Sequence, residues 1–215
     1  IIFIDGDQLV AQTGNIETLR ISTTSIGSLT LVGRSMDQLL IVDLEDTAVF
    51  PASGLILRGG GGSNTARLVG DNATLDLTAP AISIENFQTL DLTSSVNQNI
   101  TLDSATINSM SPVENQLLVI LNEDDQLNFA DLGNWNLGPS SLLDNAFTQT
   151  ATHQVANSTI HVRPASPWQN FLRASDVNGD NQVTTLDALL VINELGQHLY
   201  SDPNTSQLND PLATG

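Results

Sequence analysis

The chain has 215 residues, of which 40% are hydrophobic but only 4% aromatic, so its core must consist mainly of Leu, Ile, Val and Ala. It has 24 acidic residues, six arginines and no lysine, which gives a formal charge of −18. This charge attracts divalent cations and repels a phosphate backbone, so nucleic acid is excluded as an expected partner. Cysteine is absent too, which excludes disulfides and thiolate metal sites, and no apolar run reaches the roughly 18 residues that a transmembrane segment needs.

Residues 1–163 consist of short apolar segments separated by turn-forming residues, and in many of these segments apolar residues alternate with Thr, Asp or Ser. This alternation predicts β-strands with one buried and one solvated face, and no stretch in this region has helical periodicity. The chain begins within a strand-like segment without a signal peptide, which indicates a fragment or a processed product. The clearest strands are expected at 16–21, 28–32, 39–42, 74–77, 89–92, 100–102 and 117–121.

Four sequence blocks recur in the same order along this region. Such an order predicts a tandem duplication, with copies at about residues 1–70 and 71–150. The matched pairs are 15–21 with 86–92, 29–31 with 100–102, 37–42 with 115–120, and 50–54 with 129–133.

A duplicated run of short strands predicts a mainly β domain over residues 1–163. Scarce aromatics, together with abundant Asn, Asp, Gly, Ser and Thr at the turns, favour a parallel β-solenoid whose stacked coils bury aliphatic ladders. Two small β-sandwiches are the alternative. Residues 31–43 and 86–135 resemble the degenerate repeats of large bacterial surface proteins and adhesins, which supports export.

The pattern changes after this domain. Residues 164–169 include two prolines and no apolar period, which predicts a linker. A module at 170–200 then contains a helix, for which Gly196 is a candidate C-terminal cap, and the tail at 201–215 is expected to be extended. The predicted apolar helix face consists of Ala188, Val191, Ile192, Leu195 and, beyond the cap, Leu199.

The module opens with a twelve-residue acidic segment at 176–187. Loops that bind calcium place oxygen ligands at positions 1, 3, 5, 7, 9 and 12, so that successive oxygens converge on one cation. Val183 at position 8 is the apolar residue expected to pack the loop against a core or a partner loop, and Asn181 at position 6 tolerates the positive φ that glycine usually provides there. The six predicted calcium ligands are Asp176, Asn178, Asp180, Gln182 (through its backbone carbonyl), Thr184 and Asp187.

The alternative is an Asp/Asn turn that only caps the helix. However, residues 176–195 resemble one repeat of a dockerin, and in particular the dockerin-like repeats of exported planctomycete proteins, in which Trp-Gln-Asn precedes the loop as at 168–170. The resemblance implies calcium binding and an EF-hand-like loop–helix. It also implies a cohesin-like partner recognised through Thr185 and Leu186, and pairing with a second repeat.

Other polar clusters suggest weaker sites. Residues 59–64 resemble the glycine-rich nonapeptide of calcium-binding β-rolls, but a single copy is better explained as a turn between coils. Two acidic clusters could provide a glycosidase acid and base, bind calcium, or be solvated charges at a strand edge, and we favour solvated charges. A lyase would need a base such as Arg58 or Arg67 beside them. The clusters are Asp43, Glu45 and Asp46, and Glu123, Asp124 and Asp125.

No nucleophile-elbow, zincin, P-loop or dinucleotide motif is present, and the histidines (His153, His161 and His198) lack metal-ligand spacing. We therefore expect a non-enzymatic fragment of a secreted or cell-surface bacterial protein, structural or adhesive, with calcium as its only cofactor. Two alternatives stay open: a β-solenoid carbohydrate hydrolase or lyase that carries a dockerin, and a self-associating filament or matrix subunit.

Overall fold

A computed structural model describes residues 2–5, 8–13, 16–22, 25, 27–43, 54–80, 82–122, 124–138, 141–144, 146–164, 170–173, 175–178, 180 and 182–205. Within these ranges the chain forms helices α1 (Ser104–Met110) and α2 (Thr185–Gln197). Most of the predicted linker, at 165–169, and the predicted tail from 206 onwards lie outside the described residues. The strands are β1 (Ile2–Asp5), β2 (Gln8–Thr13), β3 (Ile16–Ser22), β4 (Leu29–Val32), β5 (Leu39–Asp43), β6 (Leu55–Arg58), β7 (Thr65–Val69), β8 (Thr74–Asp76), β9 (Ile82–Glu85), β10 (Thr89–Asp91), β11 (Asn99–Leu102), β12 (Gln116–Ile120), β13 (Gln126–Phe129), β14 (Trp135–Leu137), β15 (Ser141–Leu143), β16 (Ala146–His153) and β17 (Thr159–Arg163).

The strands wind into a parallel β-solenoid of about three turns, in which a full turn adds one strand to each of three sheets. The first sheet contains β4, β6 and β9, the second contains β8, β11 and β13, and the parallel part of the third contains β5, β7, β10, β12 and β17. Paired positions are 24 residues apart between β7 and β10 (Thr65 with Thr89) and 29 apart between β10 and β12 (Thr89 with Leu118). Between β12 and β17 they are 43 apart (Gln116 with Thr159), because the antiparallel strands at the end of the solenoid lie between them in the chain. The prediction of a mainly β, parallel solenoid is confirmed, in preference to paired sandwiches.

Alternation along the strands places aliphatic side chains in the solenoid interior. The register of the third sheet aligns Leu90 with Ala66 on one neighbouring strand and with Val119 on the other, and all three are fully buried. Full burial of a side chain of the size of Leu stabilises the folded state by about 1.5–3 kcal/mol. Because most of the interior is filled by such ladders, the low aromatic content of the sequence is sufficient for a core.

Neighbouring turns approach closely at the glycine-rich corner between β6 and β7. A Cβ on Gly60 would collide with the backbone carbonyl of Arg34 on the preceding turn. Asn64 is buried at the same corner: its Oδ1 accepts from the Gln38 N–H (3.1 Å), and its Nδ2 donates to the carbonyls of Gly60 (3.2 Å) and Asn86 (3.0 Å). These bonds join three successive turns, which agrees with the interpretation of this segment as a turn between coils.

Helix α1 contradicts the expectation that residues 1–163 contain no helix. Asp103 caps its N-terminus by accepting from the Thr106 N–H at 2.7 Å, and the helix packs against β9 and β12. Only Ile107 and Met110 are buried. Two apolar positions in a helix this short are too few to establish a 3.6-residue period, so patterning missed it.

The C-terminal end of the solenoid is closed by antiparallel strands, because β14, β15 and β17 all pair antiparallel with β16. Trp135 on β14 is buried there, its Nε1 donates to Asp131 at 2.8 Å, and its ring centroid lies 5.1 Å from that of Phe129. At the other end β1, β2 and β3 form antiparallel pairs, and β1 joins β5 in parallel. No helix in the described ranges is long and apolar enough to cross a membrane.

The proposed duplication, with copies at about 1–70 and 71–150, stays a prediction. Of the matched blocks, 37–42 and 115–120 contain β5 and β12, which lie in the same sheet. The blocks 29–31 and 100–102 belong to β4 and β11, which lie in different sheets.

Candidate calcium-binding site

The predicted ligand loop leads directly into helix α2. Thr184 is the N-cap, and its hydroxyl oxygen accepts from the Leu186 N–H at 3.2 Å. The Asp187 carboxylate reaches back and accepts from the Thr184 N–H at 2.7 Å, which completes a capping box. Loop positions 9 and 12 are therefore held together by the first turn of the helix, where a carboxylate is also stabilised by the helix dipole.

The same carboxylate joins the end of the loop to its beginning. Oδ1 of Asp187 accepts from the N–H groups of Val177 (2.8 Å) and Asn178 (3.3 Å). The Thr184 N–H lowers the pKa of Asp187 below its usual range; burial opposes this effect, and the N–H groups of Asn178 and Val177 reinforce it. Asp187 is 2% exposed although every other residue described in α2 is at least partly exposed, so its charge is directed into the loop.

The first three predicted ligands follow one another along the loop. Asp176 is fully buried, and its Oδ1 accepts from the Asp180 N–H at 3.2 Å. Asn178 is exposed; its Oδ1 accepts from the same N–H at 3.1 Å, and its Nδ2 donates to Asp180 Oδ2 at 3.0 Å. Asp180 in turn accepts from the Gln182 N–H at 2.9 Å. Asp176 and Asn178 therefore share the Asp180 N–H as a donor, and the Asp180 carboxylate accepts from the N–H two residues further along the loop.

The predicted ligand oxygens of this loop suit a calcium ion chemically. Three carboxylates, an amide oxygen, a hydroxyl and a backbone carbonyl are hard oxygen ligands, and two of the carboxylates, Asp176 and Asp187, are removed from solvent within the loop. The carboxylates accept hydrogen bonds from backbone N–H groups. Among the described residues, no group of three or more His, Cys, Asp or Glu side chains is arranged to hold a metal ion. A cation would bind by drawing these oxygens closer together, with Asn178, Gln182 and Thr184 completing the shell.

Helix α2 presents apolar side chains to solvent on two sides. The predicted face of Ala188, Val191, Ile192 and Leu195 is exposed. A second exposed group, Leu186, Leu189 and Leu190, lies on the other side of the helix, as the 100° rotation between successive residues requires. Thr185 and Leu186, the residues to which the resemblance assigns partner recognition, are both exposed in the first turn.

Two details of the module differ from expectation. Gly196 does not cap α2: the helix continues through Gln197, and His198 adopts the left-handed cap conformation with φ 51°. Its N–H donates to the Glu194 carbonyl at 2.8 Å, and the Glu194 side chain accepts from the Tyr200 N–H at 3.0 Å. Glu194 thus stabilises a non-glycine cap. Val183, expected to pack at position 8, is exposed, and Asn181 lies outside the described residues.

Sequence reasoning did not identify the contacts of Asn170. Its Nδ2 donates to the backbone carbonyl of Asp176 at 3.1 Å and to its carboxylate at 3.3 Å, and its Oδ1 accepts from the Leu172 N–H at 3.0 Å. The signal in the sequence is the Trp-Gln-Asn segment before the loop, whose resemblance to a family pattern does not reveal these contacts.

The other polar clusters have local roles where the structure describes them. Asp125 accepts from the backbone N–H groups of Gln98 (3.0 Å) and Asn122 (2.8 Å), whereas Asp124 is exposed. Glu45, Asp46 and Glu123 lie outside the described residues, as does the side chain of Asp43.

The two arginines considered as lyase bases form ion pairs across neighbouring strands: Arg58 with Glu85 at 2.6 Å, and Arg67 with Asp91 at 2.7 Å. His161 hydrogen-bonds the Thr150 hydroxyl, and burial lowers its pKa. His153 lies 3.2 Å from Asp131 at the solenoid end, and His198 ends α2. The structure therefore places the three histidines in separate surroundings.

Comparison with known protein families gives a match at the C-terminal module. Residues 166–210 match the family model of the dockerin type I domain, which confirms the resemblance and places the ligand loop and α2 inside that domain. Dockerin domains in general bind calcium, typically bind cohesins, and are modules of extracellular or cell-surface assemblies. No curated protein and no solved structure matches the chain.

Proposed function

We propose that this chain is a non-enzymatic part of a secreted or cell-surface bacterial protein, in which the β-solenoid has a structural or adhesive role and the C-terminal module attaches it to a partner. The observation that carries the proposal is the loop at 176–187, where Asp187 joins the beginning of the loop to an α2 helix whose apolar side chains are exposed.

Calcium is the cofactor of this module. The ion is held by Asp176, Asn178 and Asp180 on the loop and by Asp187 on the helix, with Gln182 contributing its carbonyl and Thr184 its hydroxyl. Because the ion binds only the folded module, calcium at 100 times its dissociation constant stabilises that module by about 2.7 kcal/mol. This gain opposes the repulsion among the loop carboxylates and fixes the first turn of α2, where Thr185 and Leu186 lie.

We assign attachment to a partner to the two exposed apolar sides of α2. Leucines and other apolar side chains that lie together on a surface mark a protein interface. One side, around Leu186 and Leu189, suits a cohesin-like partner, and the other, around Val191 and Leu195, suits a second loop–helix repeat. Recognition through Thr185 and Leu186 follows from the family pattern, and their exposure supports it.

The non-enzymatic role is proposed with three of the candidate catalytic residues in structural roles. Asp125 accepts from the backbone N–H groups of Gln98 and Asn122, and Arg58 and Arg67 form ion pairs with Glu85 and Asp91 on neighbouring strands.

The test is calcium-dependent capture of a partner by the full chain. The immobilised chain is exposed to a panel of purified cohesin modules in calcium and then in chelator. We expect at least one cohesin to bind in calcium only, and Leu186→Asp to abolish this binding. The matched control Leu142→Asp changes an exposed leucine of β15, far along the chain from the module, and should bind as the parent does. Equal binding in chelator would contradict the proposal, as would capture by Leu186→Asp.

A further inference from the structure

Residues 170–172, which we call the anchor segment, contact both the calcium loop and the solenoid. Asn170 Nδ2 donates to the backbone carbonyl of Asp176 (3.1 Å) and to its carboxylate (3.3 Å). Its Oδ1 accepts from the N–H groups of Leu172 (3.0 Å) and Arg173 (3.2 Å), which fixes the turn that leads into the loop. A single side chain therefore sets both the orientation of a predicted calcium ligand and the path of the backbone before it.

The next two residues hold this turn against the C-terminal end of the solenoid. The Phe171 N–H donates to Oε1 of Gln149, a buried residue of β16, at 3.2 Å. The Phe171 ring centroid lies 6.1 Å from that of Phe129, which in turn lies 5.1 Å from Trp135. Leu172 is 8% exposed and belongs to the same hydrophobic core as the solenoid strands.

From these contacts we infer that the anchor segment couples calcium binding to the stability of the solenoid. Asn170 is a positioning residue for Asp176, and Phe171 and Leu172 transmit the order of the loop to β13, β14 and β16. By thermodynamic linkage, an ion that binds only the folded loop also stabilises every part of the protein that must be folded for the loop to form. The inference rests on the calcium binding of the proposed function but not on any cohesin or other partner.

Trp135 gives a signal from the solenoid end itself. The chain has two tryptophans, so in a Trp168→Phe background the fluorescence reports only Trp135, which is 2% exposed. With full coupling, calcium at 100 times its dissociation constant should raise the midpoint of thermal unfolding seen at Trp135 by roughly 5–10 °C relative to chelator.

Phe171→Ala in the same background should remove most of this rise while calorimetry still records calcium binding. The matched control is Phe147→Ala, which removes a partly buried ring from β16, the strand that Phe171 contacts through Gln149. This variant should retain the rise. Calcium binding without a rise in the parent would overturn the coupling and leave calcium binding intact. A rise that persists in Phe171→Ala would also overturn it. No calcium binding to the parent would overturn both the coupling and the calcium function.

Asn170→Ser separates positioning from folding. Serine retains an oxygen that can accept from the N–H groups of Leu172 and Arg173, but it is too short to donate to Asp176. We expect the calcium dissociation constant to increase roughly 10- to 100-fold, as for other groups that orient metal ligands. The unfolding midpoint in chelator should stay unchanged. Asn136→Ser, at an exposed asparagine of β14, should leave the affinity unchanged. Unaltered affinity in Asn170→Ser would refute the positioning role, even if Phe171→Ala fails to fold.

Discussion

The buried side chain of Asn64 should be among the largest single polar contributions to the stability of the solenoid. Asn64→Ala removes the acceptor of the Gln38 N–H and the donor to the Asn86 carbonyl. The Gly60 carbonyl loses one donor but keeps another, because the Asn86 amide also donates to it. Two partly buried backbone groups are therefore left without this partner, and the loss of a buried partner costs about 1–3 kcal/mol for each group. We expect the free energy of unfolding to fall by about 2–5 kcal/mol, which includes a small cavity.

The assay is equilibrium unfolding in urea, followed by far-UV circular dichroism with chelator present so that calcium does not contribute. The matched control is Asn128→Ala on β13, an exposed asparagine whose amide donates to Asn99 at 2.6 Å. At that surface position the loss should stay within about 0.5 kcal/mol. Asn64→Asp should destabilise at pH 7 at least as much as Ala, because a carboxylate oxygen would face two carbonyls. Equal stability of Asn64→Ala and Asn128→Ala would refute the argument that this corner joins the turns.

Three further outcomes follow from the same contacts. Ile107→Ala should cost about 2–5 kcal/mol of unfolding free energy in urea, because Ile107 is a fully buried side chain of α1, whereas Ala105→Ser on its exposed side should cost little. The depressed pKa of Asp187 means that its contribution is present above the unfolded-state value of about 4 and is lost as pH falls through the folded-state value. The helical signal at 222 nm in chelator should therefore weaken below about pH 4, and Asp187→Asn should show the weaker signal already at pH 7. Incubation of the chain with acidic and neutral glycans should release no products, and calcium-dependent turnover of any of them would favour the solenoid-enzyme alternative.

Most of the solenoid could be predicted from local sequence. Strands such as β8, β10 and β11 alternate apolar and polar residues, and this alternation places their apolar side chains in the buried ladders. Helix α1 could not be predicted, since a short helix with two buried positions has no measurable period. The corner at Asn64 could not be predicted either, because its partners Gln38 and Asn86 lie on different turns and are brought near it only by the coil length.

The candidate site, like the solenoid, could be predicted from the sequence only in part. Calcium ligands at alternate positions of one loop are a local pattern, and the capping box of Thr184 and Asp187 lies within four residues, so both are visible in the sequence. Asn170 contacts residues only two to six positions away, but the neighbouring Phe171 donates to Gln149 of β16, 22 residues away, and no local pattern encodes that contact. His198 as the helix cap was also missed, because the Glu194 side chain stabilises the segment that follows it and removes the need for glycine.

The most direct test of the calcium-dependent module is a calorimetric titration of calcium into the full chain. We expect binding to one site at 176–187 that Asp176→Ala and Asp187→Ala abolish, whereas Asp124→Ala, at an exposed acidic residue of the solenoid, leaves it unchanged. Binding that survives in both loop variants, or is lost in Asp124→Ala alone, would contradict the assignment of the loop.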